Sequence, residues 1–287
     1  MTGDPFITHR SLLFTVAYEM LGSAADADDV LQESWLRWAG VDNAQVRDPR
    51  AYLVRIVTRQ ALNRLRTVSR RREDYVGEWL PEPLLTSPDV ADDVELAESV
   101  SIAMLTVLET LGPTERAVFV LREVFDAPYE EIAEAIGKSP EAVRQIARRA
   151  RDHVAERRPR MPVSQDEQAA VVERFLVAVR TGQVQELMEV MAPDVVLIAD
   201  GGGVVPAARV PIYGAERVAR LLARAGRAQT PLTSLVWLNG SPAAQVEIDG
   251  QVAVVSLVIE DGRLTRIYAM ANPEKLTRLN GPAELTR

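Results

Sequence analysis

The chain of 287 residues is 47% hydrophobic and 26% charged, and its formal net charge is −8. This length predicts about two domains, and the hydrophobic fraction excludes wholesale disorder because it is sufficient to build packed cores. The absence of cysteine excludes disulfides and thiolate metal sites, and two histidines are too few for a metal cluster. Neither a signal-peptide pattern nor an apolar run of about 18 residues is found, so we expect a cytoplasmic protein without a membrane span.

The acidic charge is unevenly distributed along the chain. Residues 76–110 contain eight acidic and no basic residues, whereas the segments on either side are nearly balanced. A negative total argues against a nucleic-acid partner, but the local charge of a surface decides whether that surface meets DNA. A DNA-binding function is therefore compatible with this composition.

Residues 1–75 show three helical patterns and no strand pattern, which predicts a small all-α domain. The first helix covers about 11–21 and ends at Gly22. A Ser-x-x-Asp pattern caps the second helix, over about 23–38, and the third covers about 49–72.

The second and third helices carry polar faces of opposite charge. The acidic edge of the second helix, taken alone, is explained by solvation and by the helix dipole, which favours acids in the first turn. The third helix begins with an aromatic residue and is rich in arginine, a composition typical of surfaces that track single-stranded DNA. In the simpler interpretation Tyr52 is a core residue and the arginines are solvated. The residues are Asp28, Asp29, Gln32 and Glu33 on the second helix and Tyr52, Arg55, Arg59, Arg64 and Arg66 on the third.

Residues 76–97 form an acidic linker that is partly extended, because its prolines prevent a continuous helix. Trp79 and Leu80 lie next to two of these prolines. An apolar pair in a polar linker is more often docked on a surface than left in water. Packing onto the first domain and a specific docking role elsewhere both explain it.

Residues 98–160 predict a second helical domain whose last two helices form a helix-turn-helix unit. A short helix over 130–136 ends at Gly137, and Ser139 caps a longer helix. One face of the longer helix is apolar, and another carries residue types that bind base edges and phosphates in a major groove. A solvated basic surface is the alternative. The polar residues are Arg144, Gln145, Arg148, Arg149 and Arg151.

In this order the segments are similar to those of bacterial RNA polymerase σ factors of the extracytoplasmic-function class. The stretch DADDVLQESWLRW resembles region 2.2 of that family, and DPRAYLVRIVTRQALNRLR resembles its regions 2.3–2.4. The stretch over 111–154 resembles region 4. The resemblance implies transcription initiation with RNA polymerase core and promoter DNA as partners, and it requires no nucleophile, metal or cofactor in the chain.

The resemblance also implies a role for each polar face. The acidic edge matches the surface that docks on the β′ clamp helices of polymerase, and the β flap is a further expected contact. The third helix matches the element that opens and reads −10 DNA, although many relatives have Asn where this chain has Arg59. The residues carried over are Asp28, Asp29, Gln32 and Glu33 for polymerase, Tyr52, Arg55, Arg59, Asn63 and Arg66 for −10 DNA, and Arg144, Gln145, Arg148, Arg149 and Arg151 for −35 DNA.

Residues 166–287 change character and predict a separate α+β domain. Two amphipathic helices over 166–192 precede several strand patterns, and a further helix is expected over about 215–225. The pattern resembles the SnoaL-like or NTF2-like cone fold, so the fold class is two all-α domains followed by an α+β domain. The expected strands are 195–199, 245–248, 251–260 and 263–271, with hairpin turns at Asp249-Gly250 and Asp261-Gly262.

Some σ factors of this class, the σJ-type proteins of actinobacteria above all, resemble this chain in carrying such an extension and three associated motifs. The glycines of the second motif permit a tight turn. We expect this turn to meet the linker and the σ domains and to regulate them in cis, by blocking or by bracing them. The motifs are WLPEP (Trp79, Leu80, Pro81, Glu82, Pro83), DGGG (Asp200, Gly201, Gly202, Gly203, then Val204 where relatives have Lys) and an Asn-Pro motif (Asn272, Pro273).

Three alternatives remain open at this point. A cone-fold domain can hold a small ligand that tunes σ activity. It can also be an enzyme, but this domain has no histidine and its acids fall near strand ends, so we expect no catalysis. Finally, a ligand-responsive helix-turn-helix regulator that never binds polymerase would leave the acidic edge without a purpose.

Overall fold

The structure, a computed structural model, describes residues 4–42, 46–158, 164–228 and 231–287, and of residues 69–73 and 225–228 the backbone alone. The chain divides into two units. Unit 1 contains Met1–Glu73, Leu105–Arg158 and Glu284–Arg287, and unit 2 contains Asp74–Met104 and Pro159–Ala283. This differs from the predicted division, because the linker belongs to the same unit as the C-terminal domain and the end of the chain belongs to the helical unit.

The first helical domain of unit 1 confirms the three predicted helices and adds a short one. The hydroxyl of Ser23 accepts a hydrogen bond from the amide of Asp26 (3.1 Å) and so caps the third helix. The short first helix begins at an Asp4 cap and buries Phe6, a signal too brief for a periodicity argument. The helices are α1 (Pro5–Thr8), α2 (Arg10–Leu21), α3 (Ala24–Ala39) and α4 (Pro49–Glu73).

Two short helices, separated at Ser101, lead into the second helical domain. These are α5 (Val94–Val100), in unit 2, and α6 (Ile102–Leu108). The chain is extended at Ser101, and its hydroxyl accepts a hydrogen bond from the amide of Met104 (3.1 Å). Because its hydroxyl satisfies an otherwise free amide, Ser101 caps the start of α6 and separates that helix from α5.

The second helical domain contains the predicted helix-turn-helix unit. Helix α7 (Pro113–Phe119) runs into a π-helical turn, and α8 (Tyr129–Ile136) and α9 (Pro140–Ala155) follow. The break between α8 and α9 lies at Gly137, whose φ of 69° is left-handed. The apolar face of α9 is buried as predicted; its members are Val143, Ile146, Ala147, Ala150 and Val154.

The C-terminal domain in unit 2 consists of three helices and a six-stranded sheet in the order β2-β1-β6-β5-β4-β3. Strands β1 and β6 are parallel, and the other neighbours are antiparallel. Helices α10 (Gln165–Thr181), α11 (Val184–Val190) and α12 (Ala215–Ala228) pack against the sheet over a cluster of buried apolar side chains. The strands are β1 (Met191–Asp200), β2 (Ile212–Tyr213), β3 (Leu232–Leu238), β4 (Ser241–Ile248), β5 (Gln251–Glu260) and β6 (Arg263–Met270).

Both predicted Asp-Gly turns are confirmed, with left-handed backbone at Asp249-Gly250 and Asp261-Gly262. Strands β2 and β3 were not predicted. Strand β2 has two residues, too short for a periodicity, and β3 lies at the sheet edge with an exposed Leu232. The Asn239-Gly240 pair that joins β3 to β4 is nevertheless a hairpin signal of the same kind.

Residues 74–104, here called the linker, cover the face of the sheet opposite the helices. Neighbouring residues along a strand point to opposite faces, and Val254 and Val255 accordingly belong to different apolar clusters. The cluster away from the helices includes Leu80 and Ile102 from the linker segment. Residues 74–104 therefore complete the core of the C-terminal domain. Among the described residues no helix is both long and apolar enough to cross a membrane.

A buried arginine joins the two helical domains of unit 1. Arg116 on α7 is 1% exposed, and its Nε donates to the backbone oxygen of Glu19 on α2 (2.9 Å). Its Nη1 donates to Oε1 of Glu109 (2.6 Å). Burial lowers the pKa of the Arg116 guanidinium, and the charge of Glu19 opposes that shift. The guanidinium thus stabilises the packing only while its acidic partners remain.

We expect Arg116→Ala to lower the free energy of unfolding by about 3–5 kcal/mol, because it leaves buried acidic groups without their counter-charge. Arg157→Ala is the control, since that guanidinium pairs with an exposed Glu156 carboxylate (3.2 Å) and should cost about 1 kcal/mol or less. Urea unfolding followed by circular dichroism measures both. Equal midpoints for the two variants would contradict a structural role for the buried pair.

Candidate functional site

The predicted polymerase face of α3 mixes acidic and apolar side chains. Gln32 and Glu33 are exposed, and Trp35 and Leu36 beside them are 46% and 67% exposed. The buried side of the helix is formed by other apolar residues, among them Val30 and Trp38. An exposed tryptophan and leucine among polar residues are typical of a protein interface.

Two of the predicted acids on α3 are already paired within the first helical domain. Arg64 on α4 donates to Asp29 (2.8 Å) and also binds Asp26 (2.6 Å). The hydrogen bond and charge of Asp26 raise the pKa of the Arg64 guanidinium, with smaller contributions from Asp29 and Glu33. Asp28 lies 3.4 Å from Arg10. Arg64 therefore positions the acidic face rather than forming part of a DNA surface.

Tyr52, at the start of α4, is neither fully buried in the core nor fully exposed. Its ring packs against Trp38, with centroids 5.9 Å apart, and the side chain is half-buried. The guanidinium of Arg55 also lies over this ring, 5.0 Å from the centroid. Asn63 and Arg66, further along α4, are exposed. Of the predicted −10 residues, Arg59, Asn63 and Arg66 are thus exposed, whereas Tyr52 and Arg55 are half-buried.

Arg55 and Arg59 face α8 of the second helical domain. Arg55 forms an ion pair with Glu134. Arg59 donates to the backbone oxygens of Glu134 (2.8 Å) and Ala135 (3.1 Å). The last carbonyls of a helix lack internal partners and carry partial negative charge, so an arginine satisfies them well. Two residues predicted to read −10 DNA are therefore occupied by an internal contact.

The predicted −35 face of α9 is exposed, and an arginine at each of its edges interacts with an acidic residue of the same domain. Arg144 donates to Glu130 on α8 (3.1 Å) and lies 5.4 Å from the ring centroid of Tyr129. Arg151 lies 3.7 Å from Glu123. Between them, Gln145, Arg148 and Arg149 are exposed, and the side chain of Arg148 is 82% exposed. The structure brings all five predicted residues to one helix.

The WLPEP, DGGG and Asn-Pro motifs meet at one buried carboxylate. Asp200, 1% exposed, accepts hydrogen bonds from the hydroxyl of Tyr75 (2.6 Å), the amide of Leu80 (2.9 Å) and the ammonium of Lys275 (2.7 Å). The amide of Gly202 is a fourth donor, at 3.0 Å. A buried carboxylate needs several hydrogen-bond donors, because an oxygen that loses its bound water and gains no donor destabilises the folded state. We call Tyr75, Trp79, Leu80, Asp200, Asn272 and Lys275 the Asp200 cluster.

Lys275 and Asn272 connect the cluster to the linker a second time. The Lys275 ammonium donates to the backbone oxygen of Leu80 (2.6 Å) and lies 3.2 Å from the ring centroid of Trp79. The amide nitrogen of Asn272 donates to the Tyr75 hydroxyl (2.9 Å). Burial, followed by the hydrogen bond to Asp200, raises the pKa of the Tyr75 phenol above its usual value. The phenol therefore stays protonated and remains a donor.

The glycine turn of the DGGG motif fits against this cluster without spare room. Gly202 has a φ of 63°, and a Cβ there would lie 2.4 Å from the Asn272 side-chain nitrogen. A Cβ on Gly203 would lie 3.0 Å from Cβ of Val76 in the linker. Val204, which stands where relatives have Lys, is 68% exposed. The turn therefore lies against Val76 of the linker.

The remaining WLPEP residues lead into a second buried contact. Pro81 and Pro83 are buried, and Glu82 is half-buried. The side-chain oxygen of Asn239 accepts from the amide of Leu84 (2.9 Å). Its side-chain nitrogen donates to the backbone oxygen of Val100 (2.8 Å). Asn239 thus holds the linker at two points.

Sequence reasoning missed Tyr75, Asn239 and Lys275 as site residues. Lys275 follows the Asn-Pro motif by two residues, and its closeness to that motif was the available signal. Asn239 precedes a glycine, a hairpin signal that was present but not used. Nothing local marks Tyr75, which acquires its role only through contacts with residues more than a hundred positions away.

Comparisons with known proteins agree with this arrangement. The model of Sigma-70 region 2 matches residues 6–71, and that of Sigma-70, region 4 matches residues 101–154. The ECF RNA polymerase sigma factor SigJ of Mycobacterium tuberculosis is 36% identical, over 96% of this chain and 94% of the relative. The probable ECF RNA polymerase sigma factor SigI of the same species is 33% identical, over 94% and 93%.

Among solved structures, the crystal structure of the M. tuberculosis extracytoplasmic function sigma factor SigJ has a TM-score of 0.78 and 34% identity, over 95% of this chain and 97% of the other. The likeness covers both helical domains and the C-terminal domain. The chain therefore belongs to the extracytoplasmic-function class of RNA polymerase σ factors and acts in RNA polymerase-directed transcription initiation.

Proposed function

We propose that this σ factor is regulated in cis: its C-terminal domain binds the linker between the two promoter-reading domains and so controls whether they can separate. The observation that carries the proposal is the Asp200 cluster, in which a buried ion pair takes two of its hydrogen-bond partners from Leu80 of the linker. Such an ion pair is satisfied only while the linker is bound.

The closed contact between α4 and α8 supports a resting role for this conformation. The −10 and −35 elements lie about 25 base pairs apart, or about 85 Å at roughly 3.4 Å per base pair. A protein in which Arg59 donates to α8 at 2.8 Å cannot place α4 on one element and α9 on the other. Opening must therefore precede recognition of both elements.

The linker has the length that opening requires. Residues 74–104, fully extended, would span on the order of 100 Å, enough to join domains on the two elements. While they are folded into unit 2, with α5 and buried Leu80, the distance between their ends is fixed. Release of the linker from the Asp200 cluster is therefore the regulated step.

The proposed roles of the individual surfaces follow from their exposure. The open residues of α3, Gln32 and Glu33 above all, bind the β′ clamp helices of polymerase core, with Asp28 and Asp29 held beside them by arginines. The second helical domain faces the β flap. On DNA, the −10 set is Tyr52, Arg55, Arg59, Asn63 and Arg66, and the −35 set is Arg144, Gln145, Arg148, Arg149 and Arg151.

A ligand or a catalytic reaction in the C-terminal domain is not needed for this mechanism. Asp200 already accepts four hydrogen bonds. An acid–base catalyst needs a carboxylate that can reach a substrate proton. We therefore assign Asp200 to linker binding.

We expect Gly202→Ala to release the linker and to raise transcription from the cognate promoter. The added Cβ meets Asn272 at 2.4 Å, and the left-handed backbone adds strain, together about 1–2 kcal/mol or a roughly 5–30-fold larger open population. Hydrogen exchange at the Leu80 amide should accelerate by the same factor. Gly281→Ala is the matched control, because a Cβ there meets nothing within 4 Å. Faster exchange without more transcription would contradict the regulatory role of the linker.

We also expect a covalent lock between α4 and α8 to abolish promoter-dependent transcription. Because the chain has no cysteine, Arg55→Cys with Glu134→Cys creates a single reactive pair for a short bismaleimide. The double variant without the cross-linker reports the effect of the two substitutions, and each single variant treated with the reagent reports the effect of modification without a lock. Full activity of the cross-linked protein would show that opening of this contact is not required.

The proposed polymerase face predicts a charge-reversal effect. Glu33→Lys should weaken the affinity for polymerase core about tenfold or more, or about 1.4 kcal/mol, because a lysine would face basic clamp helices. Glu156→Lys, on an exposed acid outside the proposed face, is the control. Fluorescence titration of core measures both. Equal affinities would place the polymerase contact elsewhere.

A further inference from the structure

Helix α12 of the C-terminal domain presents two chemically different faces. Its apolar residues are buried in the core of the domain, and its arginines recur at a spacing of three and four on the exposed side. At 100° per residue these arginines form one stripe opposite the buried face. The buried residues are Ala215, Val218, Ala219 and Ala223, and the exposed arginines are Arg217, Arg220 and Arg224.

The acidic groups near this stripe neutralise it only in part. Among the described side chains of α12, Glu216 is the sole acid, and it forms an ion pair with Arg220. Both side chains of that pair are more than 60% exposed, so it contributes little and can be exchanged for another anion. The neighbouring α11 adds an exposed Glu189. The described part of α12 still carries an excess of positive charge.

We propose that the arginine stripe of α12 is a third DNA contact of this σ factor, which binds the phosphate backbone of duplex DNA without regard to sequence. Each guanidinium offers a planar fork of donors that suits phosphate oxygens. From Arg217 to Arg224 the stripe is about 10 Å long at 1.5 Å per residue. Duplex DNA carries about one charge per 1.7 Å of axis, so several phosphates lie within that length.

An anionic membrane is the other polyanion that a basic amphipathic helix can bind. Binding in a bilayer interface requires an exposed apolar face. The apolar face of α12 is instead buried in its own domain, and Leu221, 42% exposed, is the large apolar side chain that it leaves at the surface. Duplex DNA, which needs charge alone, is therefore the better-matched partner.

A weak contact is sufficient for this role. The two helical domains of the same chain bind promoter DNA, which keeps α12 at a high local concentration of duplex. The contact would lengthen the protected DNA without changing which promoters are chosen. The inference rests on the DNA binding of the σ domains and is independent of regulation by the linker.

The experiment compares the triple variant Arg217→Gln, Arg220→Gln, Arg224→Gln with wild type in binding of polymerase holoenzyme to a promoter fragment with long flanks. Each lost phosphate contact should reduce the slope of log affinity against log salt by about 0.9, so the slope should fall by about 2–3. The ranking of promoters with single base substitutions should stay the same. The matched control is Arg174→Gln, Arg180→Gln, Arg263→Gln, which removes the same charge from exposed arginines outside α12.

Three outcomes would overturn the proposal. An unchanged salt slope would show that α12 does not touch DNA, and an equal fall in the control variant would show a general effect of net charge. Loss of binding to vesicles of anionic lipid, without a change on DNA, would identify the membrane as the partner. Hydrogen exchange at the Leu80 amide serves as a separate readout, because a change there would indicate that the linker had been released instead.

Discussion

The structure of the C-terminal unit depends on one buried ion pair, between Lys275 and Asp200. Two charges removed from water cost several kcal/mol each unless their remaining hydrogen-bonding capacity is filled. Here the filling groups come from the linker: the hydroxyl of Tyr75 and the amide and carbonyl of Leu80. Departure of the linker removes all three at once, so its docking is cooperative.

This chemistry explains why three short motifs far apart in the chain accompany one another. The WLPEP segment supplies the backbone groups of Leu80 and the ring that covers Lys275. The DGGG turn supplies the carboxylate and the space in which Asn272 fits. The Asn-Pro segment supplies the ammonium group. Each motif supplies some of the groups that interact with the buried charges of Asp200 and Lys275, and no motif supplies all of them.

Local signals predicted the elements of the fold well and their assignment to units less well. Capping residues, Asp-Gly turns and the period of α9 are properties of neighbouring residues, so a single sequence contains them. The docking of residues 74–104 depends on Asn239 and Asp200, which lie more than a hundred positions away. Contacts between residues far apart in the chain also explain why Arg55 and Arg59 were predicted incompletely. Their sequence predicts a DNA surface, but their contacts with α8 follow from tertiary packing alone.

The contacts that hold the proposed resting state differ in strength. The ion pair of Arg55 with Glu134 is partly exposed and is therefore worth about 1 kcal/mol or less, whereas separation of the helical domains also breaks the buried contact of Arg116 with the backbone oxygen of Glu19. Loss of a partner from the buried Asp200 cluster costs several kcal/mol. A population shift of this size needs an input of comparable differential affinity, which a large polymerase interface can supply and a local fluctuation cannot. Binding of polymerase core to the exposed face of α3 would then precede linker release, and the σ factor would open only where its polymerase is already present.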